Sequence, residues 1–600
     1  MQSIVHKAKQ TNPFAQQDNN KRGRAAKQHQ REGMSATADG PYRPWDLLLP
    51  INRNVYPYGA EGIAFPFVND YTWIFGLAVV VAFVTAMGIG ANDVANSFAT
   101  SVGSKSLTLV QALVIAGIFE FTGAVTLGAS VTDTVRGGIV SASDFNGSAD
   151  VLMVGMLCAL ISVSLWLALA TAFSLPVSTT HSVVGAVLGF GLCVPWADIK
   201  WNKLVEIVIS WFLSPALSST CAAILYASSR TFILRNANSF NRTLNSFAAI
   251  VLFTVWVNVS FIIIKGGSAY KWTEKLGGYG PAIGVALACA AAVALPVQFL
   301  LVPRMRRQLE NQAEPDASAS LESGGSTGEN PAVPTAEVAK SVVAVGGAAK
   351  PMTWAQRKQE LIHGDMDSDE RVAAIHENAE KYDHRTELAF GYVQVFTACA
   401  MAFAHGANDV ANAIGPLASI TELYFSNGNV ASKTPVPIWI LCLGGAGLVV
   451  GLALFGHLVI RALGVKLIKV TPARGACIEL ATALVVVVGS ILGLPLSTTH
   501  TMVGASIGVG LVDGARKSIN GKLIGKIVLG WIATIIVAGA VSAAVFSLIV
   551  YGPSLSRPIA PQNCMSVYGV TIDAAQLINA NMTIIVGSPL GTGSFPVIKL

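Results

Sequence analysis

The stretch "GANDVANSFAT", Gly90–Thr100, follows an apolar run from Trp73 to Ile89 and places Asn92, Asp93 and Asn96 where a membrane-crossing segment should still be apolar. An aspartate at the centre of such a helix costs roughly 2.5–3.5 kcal/mol unless it is paired or hydrated. The chain then does the same thing again 316 residues later, with "GANDVANAIGP", Gly406–Pro416. A second pair, "SLPVSTTHSVVGAVLG" from Ser174 and "GLPLSTTHTMVGASIG" from Gly493, recurs in the same order at a spacing of 319. Two long matches in one register identify an internal duplication.

The surroundings are those of a polytopic membrane protein. Of 600 residues 52% are hydrophobic and 12% charged, against about 25% charged in soluble chains, and the mean hydropathy is +0.55. Apolar runs near the roughly 20 residues that cross a bilayer predict about twelve transmembrane helices, near 73–91, 107–130, 151–174, 177–195, 205–228, 246–265, 281–302, 388–405, 436–460, 476–494, 497–512 and 523–551. The fold class expected is all-α, with a lipid bilayer as the surrounding partner. Porin-like alternation is missing, and a net charge of +6, much of it in the N-terminal tail and loops, gives no nucleic-acid signal. The eight cysteines form no CxxC and, Cys564 apart, lie in or beside apolar runs. They read as small core residues, with no disulfide framework and no metal site.

Five segments follow: a polar, disordered N-terminal tail (1–70), a membrane block (71–302), a cytoplasmic linker (303–387), a second membrane block (388–551) and a C-terminal tail (552–600). The linker begins "PRMRRQ", passes through a Ser/Gly/Pro/Ala-rich stretch that cannot bury a core, and becomes dense in both charge signs over 354–386, which is read as helical. Lys and Arg mark the cytoplasmic side. Arg230, Arg235 and Arg242, then Arg304, Arg306 and Arg307, then Arg461, Lys466, Lys469 and Arg474, then Arg516, Lys517, Lys522 and Lys526 all fall on one side of a twelve-span count. Both termini then face outside or a lumen, as do the sequons at Asn146 and Asn581; Lys265, Lys271 and Lys275 are the exception. Seven spans separate the two copies, so they enter the membrane in opposite directions. This is an inverted-topology repeat, the plan of many secondary transporters with a substrate near the midplane.

The motif chemistry fits that plan. Asn92 and Asn96 share a helix face, Asp93 lies on the next, and carboxylate and amide oxygens are hard ligands suited to a small cation. Their mates are Asn408, Asp409 and Asn412. Pro176 and Pro495 end or kink a helix, and Ser178–Thr179–Thr180 and Ser497–Thr498–Thr499 then supply hydroxyls and free N–H groups at a positive helix end, suited to an oxyanion. Simple N-capping is the plainer reading of either copy alone; the symmetric pair favours a two-sided anion cradle. His181 and His500 follow as supports. Glu120 and Glu479 also sit within apolar runs but are not repeat mates, since Glu479 falls opposite Leu160 and Glu120 opposite Gly445; each is read as serving coupling-ion binding or gating. Arg136 reads as an interfacial anchor.

Both "GANDVAN" copies, "TSVGSKSLTL", "RGGI", "IELA" and both "STTH" copies closely resemble the inorganic phosphate transporter (PiT) family of sodium- or proton-coupled symporters, over about 73–300 and 388–551. The resemblance implies coupling-ion and transport roles for Asn92, Asp93, Asn96, Asn408, Asp409 and Asn412, with sodium at Asn92, Asp93, Asn408 and Asp409. It implies phosphate binding at Ser178, Thr179, Thr180, Ser497, Thr498 and Thr499, and functional roles for Glu120, Glu479 and His405, where the first copy has Ile89. The expectation is a cation-coupled phosphate importer that needs no cofactor, with sodium at the plasma membrane. Proton coupling and a plastid or other organelle membrane are the alternatives, and a homodimer is allowed. Two rival classes are a sulfate transporter on the same fold and a non-transporting sensor. An enzyme is not expected, because no oriented base stands beside the Ser–Thr–Thr–His tetrads.

Overall fold

The computed structural model describes residues 67–136, 139–145, 148–195, 197–266, 272–311, 352–363, 370–428, 436–492, 496–514 and 517–550, with four short stretches of the C-terminal tail. Residues 1–66, the Ser/Gly-rich part of the linker, Pro495 and both sequon asparagines lie outside the described residues, as does the side chain of Arg136. In the tail, β1 (Cys564–Val567) pairs antiparallel with β2 (Val570–Asp573), and β3 (Thr583–Ile585) with β4 (Val597–Lys599). The tail belongs to a separate compact unit from the helical body, Pro57–Pro558.

Among the described residues of the body the secondary structure is helical, apart from one isolated bridge between Val140 and Ile199. Its elements are α1 (Phe67–Asn92), α2 (Val94–Gly103), α3 (Leu109–Arg136), α4 (Ala149–Ala172), α5 (Thr179–Leu192), α6 (Trp201–Leu234), α7 (Ser239–Ile264) and α8 (Tyr279–Glu310). After the Ser/Gly-rich part of the linker come α9 (Trp354–His363), α10 (Glu370–Asn378), α11 (His384–Phe425), α12 (Ile438–Phe455), α13 (His457–Arg461), α14 (Pro472–Leu492), α15 (Thr498–Asp513) and α16 (Gly521–Val550). Large apolar side chains such as Phe212 on α6, Phe299 on α8, and Leu529 and Ile536 on α16 stand exposed on the outside, the surface a hydrocarbon solvent demands.

Among the described residues ten stretches are long and apolar enough to cross a membrane, where about twelve spans were expected. The other two are α5 and α15. At 14 and 16 residues they are about 21 and 24 Å long, short of a hydrocarbon core of about 30 Å. The reason lies at their N-termini. Ser178 and Ser497 cap the first turn by accepting the backbone N–H of His181 and His500, each at 3.3 Å, so each helix starts inside the body. α8 continues to Glu310 and α11 begins at His384, and the charged part of the linker carries the helices α9 and α10.

Side-chain contacts at helix ends define two faces. On the linker face, Gln359 of α9 accepts from the backbone N–H of Leu109 at 2.9 Å, His376 of α10 lies 3.0 Å from the Val465 carbonyl, and Glu380 pairs with Arg235 at the end of α6. On the opposite face, the Tyr71 hydroxyl donates to Asp150 at 3.2 Å, Thr72 meets Tyr424 at 2.9 Å, and Val140 bridges to Ile199. The α1–α2 unit therefore runs toward the linker face and α11 runs away from it. The α4–α5 hairpin begins and ends on the opposite face. The α14–α15 hairpin begins and ends on the linker face, where Arg474 holds Asp513 at 2.7 Å.

Glycines let each short helix lie against a long helix of the other half. A Cβ at Gly185 or Gly189 would overlap the Ile535 or Gly539 carbonyl of α16, and one at Gly504 or Gly508 the Pro215 or Ser219 carbonyl of α6. Gly90 and Gly406 do the same for the motif helices, against Leu448 of α12 and Glu120 of α3.

Candidate functional site

The two aspartates meet where the tips of both hairpins converge, and both are withdrawn from the surface. Asp93 is 1% exposed and Asp409 0%. Buried carboxylates survive only if donors surround them, and the donors come in matched pairs. Thr179 donates to Asp93 Oδ2 at 2.6 Å, and its repeat mate Thr498 donates to Asp409 Oδ2 at 2.6 Å. Asn96 donates to Asp93 Oδ1 at 2.6 Å, and Asn412 to Asp409 Oδ1 at 3.1 Å. The same two amides cross between the halves: Asn96 donates to Thr499 at 3.1 Å, and Asn412 to Thr180 at 3.2 Å and Thr179 at 3.0 Å. Thr499 also donates to Asp93 in a very short contact. The hydroxyls predicted for an anion and the acids predicted for a cation thus share one cluster.

One local difference separates the copies. In the first, the helix breaks at Asp93 between α1 and α2; in the second, the motif stays helical within the 42-residue α11. At the break, Asn92 reaches the turn between α4 and α5, donating to Thr171 at 3.1 Å and the Leu175 carbonyl at 2.9 Å and accepting from the Val177 N–H at 3.0 Å. The Asn92 amide is thereby tied to the first hairpin, while its Oδ1, which accepts one N–H, keeps a second lone pair for a ligand. Asn408 donates to Asp409 at 3.1 Å and accepts from Ser490 at 3.3 Å. Thr171 and Ser490 are repeat mates that the sequence reading passed over; the 319-residue register, extended back along α4 and α14, finds them.

His405 breaks the symmetry. Its Nδ1 lies 3.0 Å from Glu120 Oε2, and its Nε2 lies 2.9 Å from Asp409 Oδ2 without hydrogen-bond alignment. Ser97 donates to the other oxygen of Glu120 at 3.1 Å. Ligand atoms of Asp93, His405 and Asp409 all fall within 4.8 Å of one another, a donor set of two carboxylates and an imidazole that suits a cation. Glu479 stands apart. It accepts from Thr100 at 2.6 Å, Ser101 at 2.5 Å, Thr397 at 2.6 Å and Gln394 at 3.0 Å. Three of these donors fall on Oε1 and one, Thr397, on Oε2, and none of them was anticipated. Ser178 and Ser497 keep their predicted place at the helix starts, but their oxygens serve as caps, leaving each hydroxyl hydrogen as the group still open to a ligand. His181 and His500 lie behind the cluster with their rings 4.6 Å apart, and Trp531 stacks on His500 at 3.7 Å.

The sequence pattern of the phosphate transporter family matches residues 89–542, a span containing both aspartates and both Ser–Thr–Thr starts. The chain belongs to the phosphate transporter family. Among relatives, the phosphate-repressible phosphate permease of Neurospora crassa is 29% identical across 81% of this chain and 99% of its own length. The sodium-dependent phosphate transporter 1-A of Danio rerio is 30% identical across 81% and 96%. A solved structure described as the sodium-dependent phosphate transporter shares 29% identity and a TM-score of 0.62, covering 80% of this chain and 99% of the other. This phosphate transporter is therefore a multi-pass membrane protein and not an enzyme.

Proposed function

We propose that this phosphate transporter couples phosphate movement to sodium and works by alternating access between two inverted halves. The observation that carries the reading is the matched set of hydroxyl-to-carboxylate and cross-half amide bonds around Asp93 and Asp409. The opposite directions of α1–α2 and α11, and of the two hairpins, support the inverted relationship. Two carboxylates this close repel one another and would repel an anion. A cation held by Asp93, Asp409 and the adjoining hydroxyls cancels both repulsions. Phosphate then takes donors from Ser178, Thr179 and Thr180 and from Ser497, Thr498 and Thr499 at two helix N-termini. Every one of these residues lies at a hairpin tip, at the break between α1 and α2, or on α11, so movement of the halves would expose them to one face and then the other.

One observation favours a second reading. The row Glu120–His405–Asp409 is built like a proton carrier, which would make the coupling ion H+. Uptake of labelled phosphate into vesicles under a sodium gradient alone, and under a proton gradient alone, separates the two. Sodium-driven accumulation is expected, and accumulation with protons only would replace sodium by protons. The plasma membrane is the proposed location, consistent with a basic cytoplasmic linker face; fractionation with a plasma-membrane marker tests it.

A further inference from the structure

The pseudo-symmetry that governs the aspartate cluster fails at the bases of the two hairpins. Arg474 starts α14, Asp513 ends α15, and their side chains, 1% and 3% exposed, pair through Nη2 of Arg474, which donates to both carboxylate oxygens at 2.7 and 2.9 Å. In the 319-residue register their mates in the first hairpin are Gly155 and Val194, which cannot pair. The second hairpin alone is bolted at its base, and the linker adds to the bolt. Arg474 also donates to the Glu380 carbonyl at 2.8 Å and lies 5.5 Å from the Tyr382 ring and 5.7 Å from the Tyr226 ring. Tyr226 donates to Asp513 at 2.9 Å and meets the Tyr382 hydroxyl at 2.9 Å. Outside the membrane, the Glu380 carboxylate takes a fork from Arg235 at 2.7 and 2.9 Å, with Arg230 at 3.7 Å.

A buried arginine of this kind is poor evidence for stability, since an apolar replacement can serve as well. It is well suited to a two-state contact that either is fully satisfied or is broken. The 16-residue helix α15 joins Asp513 rigidly to Thr498, the residue that holds Asp409. We propose that Glu380 and Tyr382 of the linker are positioning residues that latch the base of the second hairpin, so that the linker sets how readily the aspartate cluster opens toward the linker face. The proposal rests on the alternating-access reading above.

Cys477, one turn along α14 from Arg474, is the reporter. It is buried, with its sulfur 3.7 Å from the Ser229 hydroxyl. The double variant Arg235→Ala/Tyr382→Ala loosens the linker while leaving Arg474, Asp513 and the whole cluster in place. A membrane-impermeant maleimide is applied to inverted vesicles, and labelling of the Cys477 peptide is followed by mass spectrometry beside phosphate uptake from the opposite face. The variant should label about tenfold faster, and its phosphate KM should rise about fivefold, because a smaller fraction of the protein faces the substrate; Vmax should hold within about twofold. Tyr382→Phe keeps the ring over Arg474 and should stay close to wild type in both readouts. Unchanged labelling and KM in correctly inserted double variant would overturn the latch, as would lost yield and Vmax with neither readout moved. The labelling arm does not depend on the coupling ion, so a failure of sodium coupling and a failure of the latch give different results.

Discussion

Replacing Asp409 by Asn tests the cation assignment at the point where geometry is best preserved. Thr498, Asn412 and Asn408 all donate to Asp409, and the threonine hydroxyl can rotate to accept from the new amide, so the shape of the cluster survives. The charge does not. Two unit charges 4 Å apart attract by about 4 kcal/mol at an effective dielectric of about 20. At 1.4 kcal/mol per decade this is about a thousandfold in cation affinity. Asp93→Asn removes an equivalent charge, since its donors Asn96 and Thr179 mirror Asn412 and Thr498, and Thr499 adds a third. In reconstituted vesicles the sodium concentration that half-activates phosphate uptake should rise about a thousandfold in both variants, with wild-type insertion and elution from a sizing column. Wild-type sodium activation in either variant would refute the reasoning, because no cation held by that carboxylate could then be coupled.

Three further outcomes follow from the same geometry. Ser178→Ala and Ser497→Ala each remove a cap worth about 1 kcal/mol, visible as a lower melting temperature in detergent, and each should weaken phosphate binding about tenfold by removing a hydroxyl donor to an anion; unchanged phosphate affinity in both would leave the serines as caps alone. Gly189→Ala and Gly508→Ala drive a Cβ into the carbonyls of Gly539 and Ser219, a clash costing about 1–3 kcal/mol, so both should melt lower and transport poorly, whereas Gly117→Ala, where a Cβ meets open space, should not. Docking of α9 and α10 should weaken in acid. Burial holds His363 and His376 below the ordinary imidazole value, and burial together with Lys358 brings His457 down to about 4. Undocked imidazoles protonate near 6.5, so this contribution is full above about pH 6.5 and fades as the pH falls toward the lowered values; hydrogen exchange of α9 and α10 should quicken over that window and would stay flat if the histidines were irrelevant.

The residues that make the cluster were legible because membrane segments tolerate so few polar groups. Asp93, Asp409 and the two Ser–Thr–Thr starts stood out against apolar runs, and the duplication forecast that they would converge. The helix count was less legible. Apolar stretches around 177–195 and 497–512 look like spans on hydropathy, and only the caps at Ser178 and Ser497 reveal that α5 and α15 begin inside the body. Contacts between distant segments were not legible at all. Nothing local distinguishes Asn92, turned to the α4–α5 loop, from Asn96, turned to Asp93 and Thr499. The donors on Glu479 of α14 come from α2 and α11, which the sequence separates from it by as many as 379 positions. The linker was read from composition as a connector, yet its charged second part docks, because Glu380 and Tyr382 find partners only when α6, α14 and α15 end side by side.

Titrating phosphate into the purified transporter, with and without saturating sodium, tests most directly whether one cluster holds both ligands. If Asp93 and Asp409 carry the cation beside the Ser–Thr–Thr donors, sodium should tighten phosphate binding at least tenfold, and phosphate should tighten sodium binding by the same factor, as linkage requires. Choline in place of sodium should give no such gain. Phosphate binding of equal strength with sodium and with choline would contradict the shared site.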